Sequence, residues 1–201
     1  MTLDVISIPL GAYQTNCYVV SAAGSQDAVV IDPGDSAPTV LELLRERELT
    51  LRAILVTHGH LDHIGAVRDL AEATGVEVWM ARGDAEDLRS FEPAPYEPDH
   101  LVSGGEVVEV AGISFRSFDV PGHTPGSVAF EANGIAFVGD VLFAGSIGRT
   151  DFEGGDFDTL MASIALLMRE LPGETVVASG HGAATTLAHE RETNPFLGDL
   201  R

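Results

Sequence analysis

Thr57-His58-Gly59-His60-Leu61-Asp62-His63 decides the reading of this chain. Three histidines and one aspartate stand within six residues. The run ahead of them, Arg52 to Thr57 with Ala53-Ile54-Leu55-Val56 at its centre, predicts a buried strand. Side chains just past a strand end are held by a rigid scaffold yet stay free to meet a ligand. Imidazole nitrogen and carboxylate oxygen are donors that a borderline cation such as zinc accepts. Gly59 reads as the residue that leaves room between these donors.

Three later residues extend the set. His123 lies in Pro121-Gly122-His123-Thr124-Pro125-Gly126, a tight turn after a strand. Asp140 follows the predicted strand Ile135 to Val138 as Gly139-Asp140. His181 follows the predicted strand Thr175 to Ser179 as Gly180-His181-Gly182. Each alone reads as a capping or packing residue. Four predicted strand ends, all offering His or Asp, point instead to one shared metal site.

The rest of the chain alternates β-branched runs with helical stretches. Strands are predicted at Leu3–Ile8, Asn16–Val20, Ala28–Ile31 and Val76–Met80. Val107–Val110 with Ile113–Val120 reads as a hairpin turning at Ala111-Gly112. Val128–Glu131 with Ile135–Val138 reads as a second, turning at Asn133-Gly134. Helices are predicted at Val40–Arg47, Ile64–Thr74, Phe157–Leu171 and Thr186–Thr193, with Gly75 stopping the second. The Pro-rich stretch Ser90 to His100 reads as a surface loop. Two halves, each of strands then helices, predict a layered α/β domain and not a doubly wound sheet. Residues 1–201 are expected to form a single domain.

Composition removes several chemistries. All eleven basic residues are arginine and the net charge is −20. Without lysine there is no Schiff base, no pyridoxal-phosphate anchor and no P-loop lysine. The acidity argues against a nucleic-acid partner, whose binding rests on neutralising phosphates. No stretch approaches the roughly 18 apolar residues of a membrane span. Met1 to Leu10 has no basic n-region, so a cytoplasmic protein is expected. Cys17 is the single cysteine and reads as a buried thiol. His100 and His189 fit no donor position and read as exposed; Trp79 and Phe91 read as core packing.

The sequence resembles the metallo-β-lactamase superfamily, and within it the small glyoxalase II-like hydrolases. The resemblance covers nearly the whole chain. It runs from Thr15-Asn16-Cys17-Tyr18 and Asp32-Pro33-Gly34 through the His58-x-His60-x-Asp62-His63 motif. It continues through Gly122 to Ser127, Gly139-Asp140 and Gly148-Arg149-Thr150-Asp151 to Gly180-His181-Gly182 and Asn194-Pro195-Phe196-Leu197. It implies an α+β fold, a four-layer αββα sandwich with its site at one edge between two sheets.

The resemblance further implies two metal ions, zinc foremost, with iron or manganese accepted by the same donors. His58, His60 and His123 would hold the first; Asp62, His63 and His181 the second; Asp140 would bridge them. Asp62 would also orient an attacking hydroxide, for which no Gly-x-Ser-x-Gly elbow is needed. The implied activity is cleavage of a small thioester of the hydroxyacylglutathione kind. Arg149 falls where such enzymes place a basic residue against a glutathione carboxylate, or it pairs with a carboxylate of its own chain.

Two features depart from glyoxalase II. About twenty residues follow His181, so the helical C-terminal domain is expected to be absent. Gly182-Ala183 stands where a tyrosine follows the last histidine in those enzymes. The competing reading is a mono-iron persulfide dioxygenase, which shares Gly148 to Phe152 and would bind iron through His58, His123 and Asp140. A lactonase ranks lower, a nuclease or β-lactamase lower still. Oligomeric state is left open.

Overall fold

Alternation along the central strands explains the architecture. In the computed structural model, which describes residues 2–200, strand β4 (Thr50–Val56) is buried on both faces. Ile54 and Val56 point into one core, Ala53 and Leu55 into another. Strand β2 (Thr15–Ala22) divides in the same way, with Cys17 and Val19 on one side and Tyr18 and Val20 on the other. A strand with two apolar faces needs a layer on each side.

The first sheet has the order β1 (Leu3–Leu10), β2, β3 (Asp27–Ile31), β4, β5 (Glu77–Ala81), β6 (His100–Val102). β1 to β3 pair antiparallel, and β3 to β6 pair parallel. The second sheet is built on β7 (Val107–Val110), β8 (Ile113–Asp119), β9 (Val128–Ala132), β10 (Ile135–Gly139), β13 (Val176–Ser179) and β14 (Thr185–Thr186). They run in the order β14-β13-β10-β9-β8-β7, with β10 and β13 parallel and every other pair antiparallel. Between β10 and β13 lies a two-stranded ribbon, β11 (Leu142–Phe143) with β12 (Ser146–Ile147).

Three cores separate four layers. Helices α1 (Ala37–Glu46), α3 (Val67–Thr74) and α4 (Ala85–Ser90) cover the outer face of the first sheet. Phe115, Phe130 and Phe137 fill the space between the sheets. Helices α5 (Phe157–Glu170) and α6 (Leu187–Thr193) cover the second sheet through Leu160, Ile164, Leu167 and Leu187. The αββα sandwich is therefore the observed fold.

Local chemistry sets the boundaries. Gly75 ends α3 in the left-handed region at φ 71°, returning its N–H to Ala71 O. Asn133 and Gly134 both adopt positive φ, as a two-residue hairpin turn requires. α1 begins three residues before the predicted Val40, because Pro38 suits a first helical turn. The helix expected over Ile64–Thr74 is two helices: α2 (Leu61–Ile64) and α3, broken at Gly65-Ala66. The stretch expected to be loop up to His100 ends in β6, and α4, β11, β12 and β14 escaped the sequence reading. Each is too short for its periodicity to show. Among the described residues no helix is long and apolar enough to cross a membrane.

Candidate metal centre

The seven predicted donors meet at one edge of the sandwich, beyond the ends of β4, β8, β10 and β13. His58 and His60 follow β4; Asp62 and His63 lie on the single turn of α2. His123 follows β8, Asp140 follows β10, and His181 follows β13. The ring nitrogens of His60 and His123 stand 2.8 Å apart. His181 Nε2 lies 3.3 Å from Asp62 Oδ2 and 3.4 Å from Asp140 Oδ2. Asp140 also faces His63 Nε2 at 3.4 Å and His123 Nε2 at 3.5 Å.

Donor atoms fall into three overlapping groups, each within 4.8 Å: His58, His60 and His123; His58, His63 and Asp140; Asp62, His63 and His181. The groups share members, so two neighbouring ions fit better than one. Among the described residues four buried side-chain polar atoms have no hydrogen-bond partner, and three are His58 Nε2, His63 Nε2 and Asp140 Oδ1, the last two facing each other at 3.4 Å. A buried polar atom without a partner is costly. Three of them converging on one point fit a cation.

Neighbouring groups aim the donors. Asp32 Oδ2 lies 3.0 Å from His63 Nδ1, leaving Nε2 to the site. The same carboxylate accepts from Thr57 N and Thr57 Oγ1, at 2.8 and 2.7 Å. His123 Nδ1 donates to Arg149 O at 2.7 Å, which also leaves Nε2 inward. Thr15 Oγ1 donates to Asp62 Oδ2 at 2.8 Å. Partners of this kind fix ring orientation and tautomer.

Electrostatics follow from burial and crowding. Burial, then the neighbouring His63, pushes His58 well below the usual histidine range. Burial and His123 lower His60 as well, so both are neutral imidazoles, the form that binds a cation. Burial disfavours charge on His63, yet Asp32 and Asp140 outweigh it and lift the ring to about 10. Asp140 and Asp62 lift His181 to about 9. Asp62 falls to about 2 against the effect of its own burial, because His181 and His63 favour its charged form. Without metal, the protons on these two histidines offset the paired carboxylates; a cation takes their place.

The centre opens into a cleft of about 680 Å³, walled by Tyr13, Leu61, Phe143, Ile147, Arg149 and Phe152. Arg149 reaches this wall, but its guanidinium is held by both oxygens of Asp151 at 2.7 Å. Gly59 does not separate the donors as expected. A Cβ there would strike the Asp87 side chain, and its N–H donates to Asp84 Oδ2 at 3.1 Å. The glycine that makes room for donors is Gly180, where a Cβ would run into Asp140 and His63.

Other expectations are met away from the site. His100 is exposed and stacks on Trp79 at 4.3 Å; His189 is exposed on α6. Trp79 and Phe91 pack against the cores, and Cys17 is fully buried. Sequence reasoning missed Asp32, Thr15 and Asp84 as aiming groups. It also missed what Asn16 and Tyr18 do on either side of Cys17. Asn16 Nδ2 donates to Ser179 O and Gly182 O, at 3.0 and 2.9 Å. Tyr18 OH donates to Ser179 O at 2.6 Å. Together they tie the first sheet to the loop that carries His181.

Known proteins agree with this geometry. Residues 10–181 match the metallo-beta-lactamase superfamily. Hydroxyacylglutathione hydrolase GloC of Haemophilus influenzae is 37% identical, over 97% of this chain and 98% of that one. The crystal structure of the BLEG-1 B3 metallo-beta-lactamase superposes with TM-score 0.90 at 38% identity, over 97% of this chain and all (100%) of the other. TTHA1623, crystallised in a di-iron-bound form, superposes with TM-score 0.79 at 38% identity, over 96% and 100% of the two chains. With its converging donors and these relatives, the chain belongs to the metallo-beta-lactamase superfamily and is a metal-dependent hydrolase.

Proposed function

We propose that this hydrolase cleaves acyl thioesters of the hydroxyacylglutathione kind. The observation that carries the reading is Asp140, which faces His63, His123 and His181 from one carboxylate and so joins the two halves of the donor set. His58, His60 and His123 would hold one ion; Asp62, His63 and His181 the other; Asp140 both. The ions supply Lewis acidity and lower the pKa of a water, giving a nucleophile at neutral pH. Zinc is the expected metal from the donor types, and the same donors take iron or manganese. Near-full-length similarity to GloC supports a thioester as the substrate class.

The chain's own residues do the rest. Asp62, ionised and fixed by Thr15, stands at the cleft floor, where it would orient the attacking hydroxide. The cleft walls would hold the scissile carbonyl over the donors. Water adds to the carbonyl carbon, the C–S bond breaks, and the proton finishes on the departing thiol. Arg149 lies along the wall where the thiol carrier would pass.

Metal content per chain, on protein purified without chelator, tests the reading together with thiol release from lactoylglutathione. About two ions per chain and metal-dependent thiol release are expected. One iron per chain, with oxygen uptake on glutathione persulfide, would overturn the hydrolase in favour of a dioxygenase.

A further inference from the structure

Among the described residues, six large hydrophobic side chains are exposed: Tyr13, Leu61, Val107, Phe152, Phe157 and Phe196. Three of these, Tyr13 at 64%, Leu61 at 55% and Phe152 at 47%, line the one cleft above the donors. Scattered exposed apolar residues need no explanation, but a group gathered around one concave site does. Phe143 and Ile147 of the β11–β12 ribbon add to the same apolar lining. Phe152 lies edge-on to His60 at 5.6 Å and Phe143 edge-on to His181 at 6.0 Å. The apolar walls therefore begin where the donors end.

Charge on the walls is nearly cancelled. Among the described residues Arg149 is the cleft's sole arginine, and the chain has no lysine. Its guanidinium is occupied by both oxygens of Asp151 and lies 3.9 Å from the centre of the Phe152 ring. Glu153 adds a negative charge to the same wall. A thiol carrier recognised by its carboxylates or phosphates needs free cations, and among the described residues the wall offers none outside the donor set.

We propose, resting on the thioester reading above, that the cleft selects its substrate by apolar alkyl or aryl flanks and not by the anionic groups of the thiol carrier. Preferred substrates are thioesters of medium acyl chains or of small neutral thiols. Glutathione esters are turned over less well, and coenzyme A esters poorly.

The test compares acetyl, butyryl and hexanoyl thioesters on N-acetylcysteamine, glutathione and coenzyme A, using the metal-loaded enzyme. On the neutral thiol, kcat/KM is expected to rise about threefold for each added methylene. Phe152→Ser is expected to flatten that gradient through KM. Asp151→Asn, which frees Arg149, is expected to improve glutathione esters up to about fivefold and leave neutral esters unchanged. A flat gradient, or a preference for glutathione esters at equal acyl length, overturns the inference. So does a change of oligomeric size in Phe152→Ser with the gradient intact, because the patch would then be an interface between copies.

Titration calorimetry with the non-hydrolysable hexyl thioether of N-acetylcysteamine separates the two readings. Binding without hydrolysis of any thioester sinks the thioesterase and leaves the apolar cleft. Hydrolysis of lactoylglutathione without thioether binding sinks the apolar cleft and leaves the thioesterase.

Discussion

Asp32 Oδ2 sits 3.0 Å from His63 Nδ1, and neither residue is accessible to solvent beyond a trace. The carboxylate stands just past β3 at φ 52°, a left-handed conformation rare outside glycine, asparagine and aspartate. It holds Thr57 by two further hydrogen bonds, and so ties the end of β3 to the end of β4 and to the donor helix α2. Asp32→Asn keeps the backbone conformation and loses the charge that orients the ring. Metal affinity or activity is expected to fall about 10- to 100-fold. Metal retained per chain after dialysis, set beside kcat, checks this; unchanged retention and rate would remove Asp32 from the site.

Chelation should loosen the fold as well as stop the reaction. His58 Nε2, His63 Nε2 and Asp140 Oδ1 are buried without hydrogen-bond partners. Free metal at a hundredfold excess over its dissociation constant adds about 2.7 kcal/mol per site. With both sites filled, a melting temperature lower by about 10–20 °C after treatment with EDTA is expected, restored by metal. Identical melting curves would mean that the donors hold no stabilising ion.

Glu190 has no solvent exposure and accepts from Gly145 N at 2.8 Å, Thr185 Oγ1 at 2.6 Å and Asn194 Nδ2 at 2.8 Å. Asn194 Nδ2 also donates to Ser146 O at 3.0 Å. These bonds pin the tip of the β11–β12 ribbon, and with it the Phe143 wall, to α6. Glu190→Ala removes the shared acceptor of Gly145 N, Thr185 Oγ1 and Asn194 Nδ2 and is expected to cost about 1–3 kcal/mol of stability. KM should rise more than kcat falls, since the donors themselves are untouched. Equal loss in both terms would mean that the network supports the metal centre directly.

Cys17 is inert for a reason the structure supplies. Burial, reinforced by Asp32, pushes its thiol far above the ordinary value of 9.0. Burial likewise pushes the Tyr18 phenol above its ordinary 10.0. Both groups keep their protons when folded at a pH where the unfolded chain releases them. Their contribution is complete below pH 9.0 and shrinks as pH rises above it. Stability measured by denaturant should decline from that point, and labelling of Cys17 by a thiol reagent should track unfolding. Rapid labelling of the native protein at neutral pH would contradict the burial.

Much of the centre was legible because it is written locally. His58, His60, Asp62 and His63 are adjacent, and His123, Asp140 and His181 each stand beside a glycine after a β-branched run. Residue type announces the donor chemistry, and the run announces the strand end. The alternating burial of β4 and β2 follows from apolar sequence alone, and with it the need for layers on both sides. The short elements were not legible. A ribbon of two-residue strands, β11 with β12, exists because Glu190 and Asn194 hold it from far along the chain.

The sequence by itself determined which atoms are available for a metal, their order, and the strands that carry them. Tertiary structure decided which groups aim them and what surrounds them. Asn16 meets Ser179 across 163 positions and Asp32 meets His63 across 31. The first pair arises only when the two sheets pack together, the second only when β3 and β4 lie side by side in one sheet. Whether Arg149 faces a substrate or Asp151 was likewise open in the sequence, because an exposed guanidinium takes whichever carboxylate folding places beside it. Periodicity is a property of neighbours along the chain; the partners of a buried carboxylate are set by packing between layers.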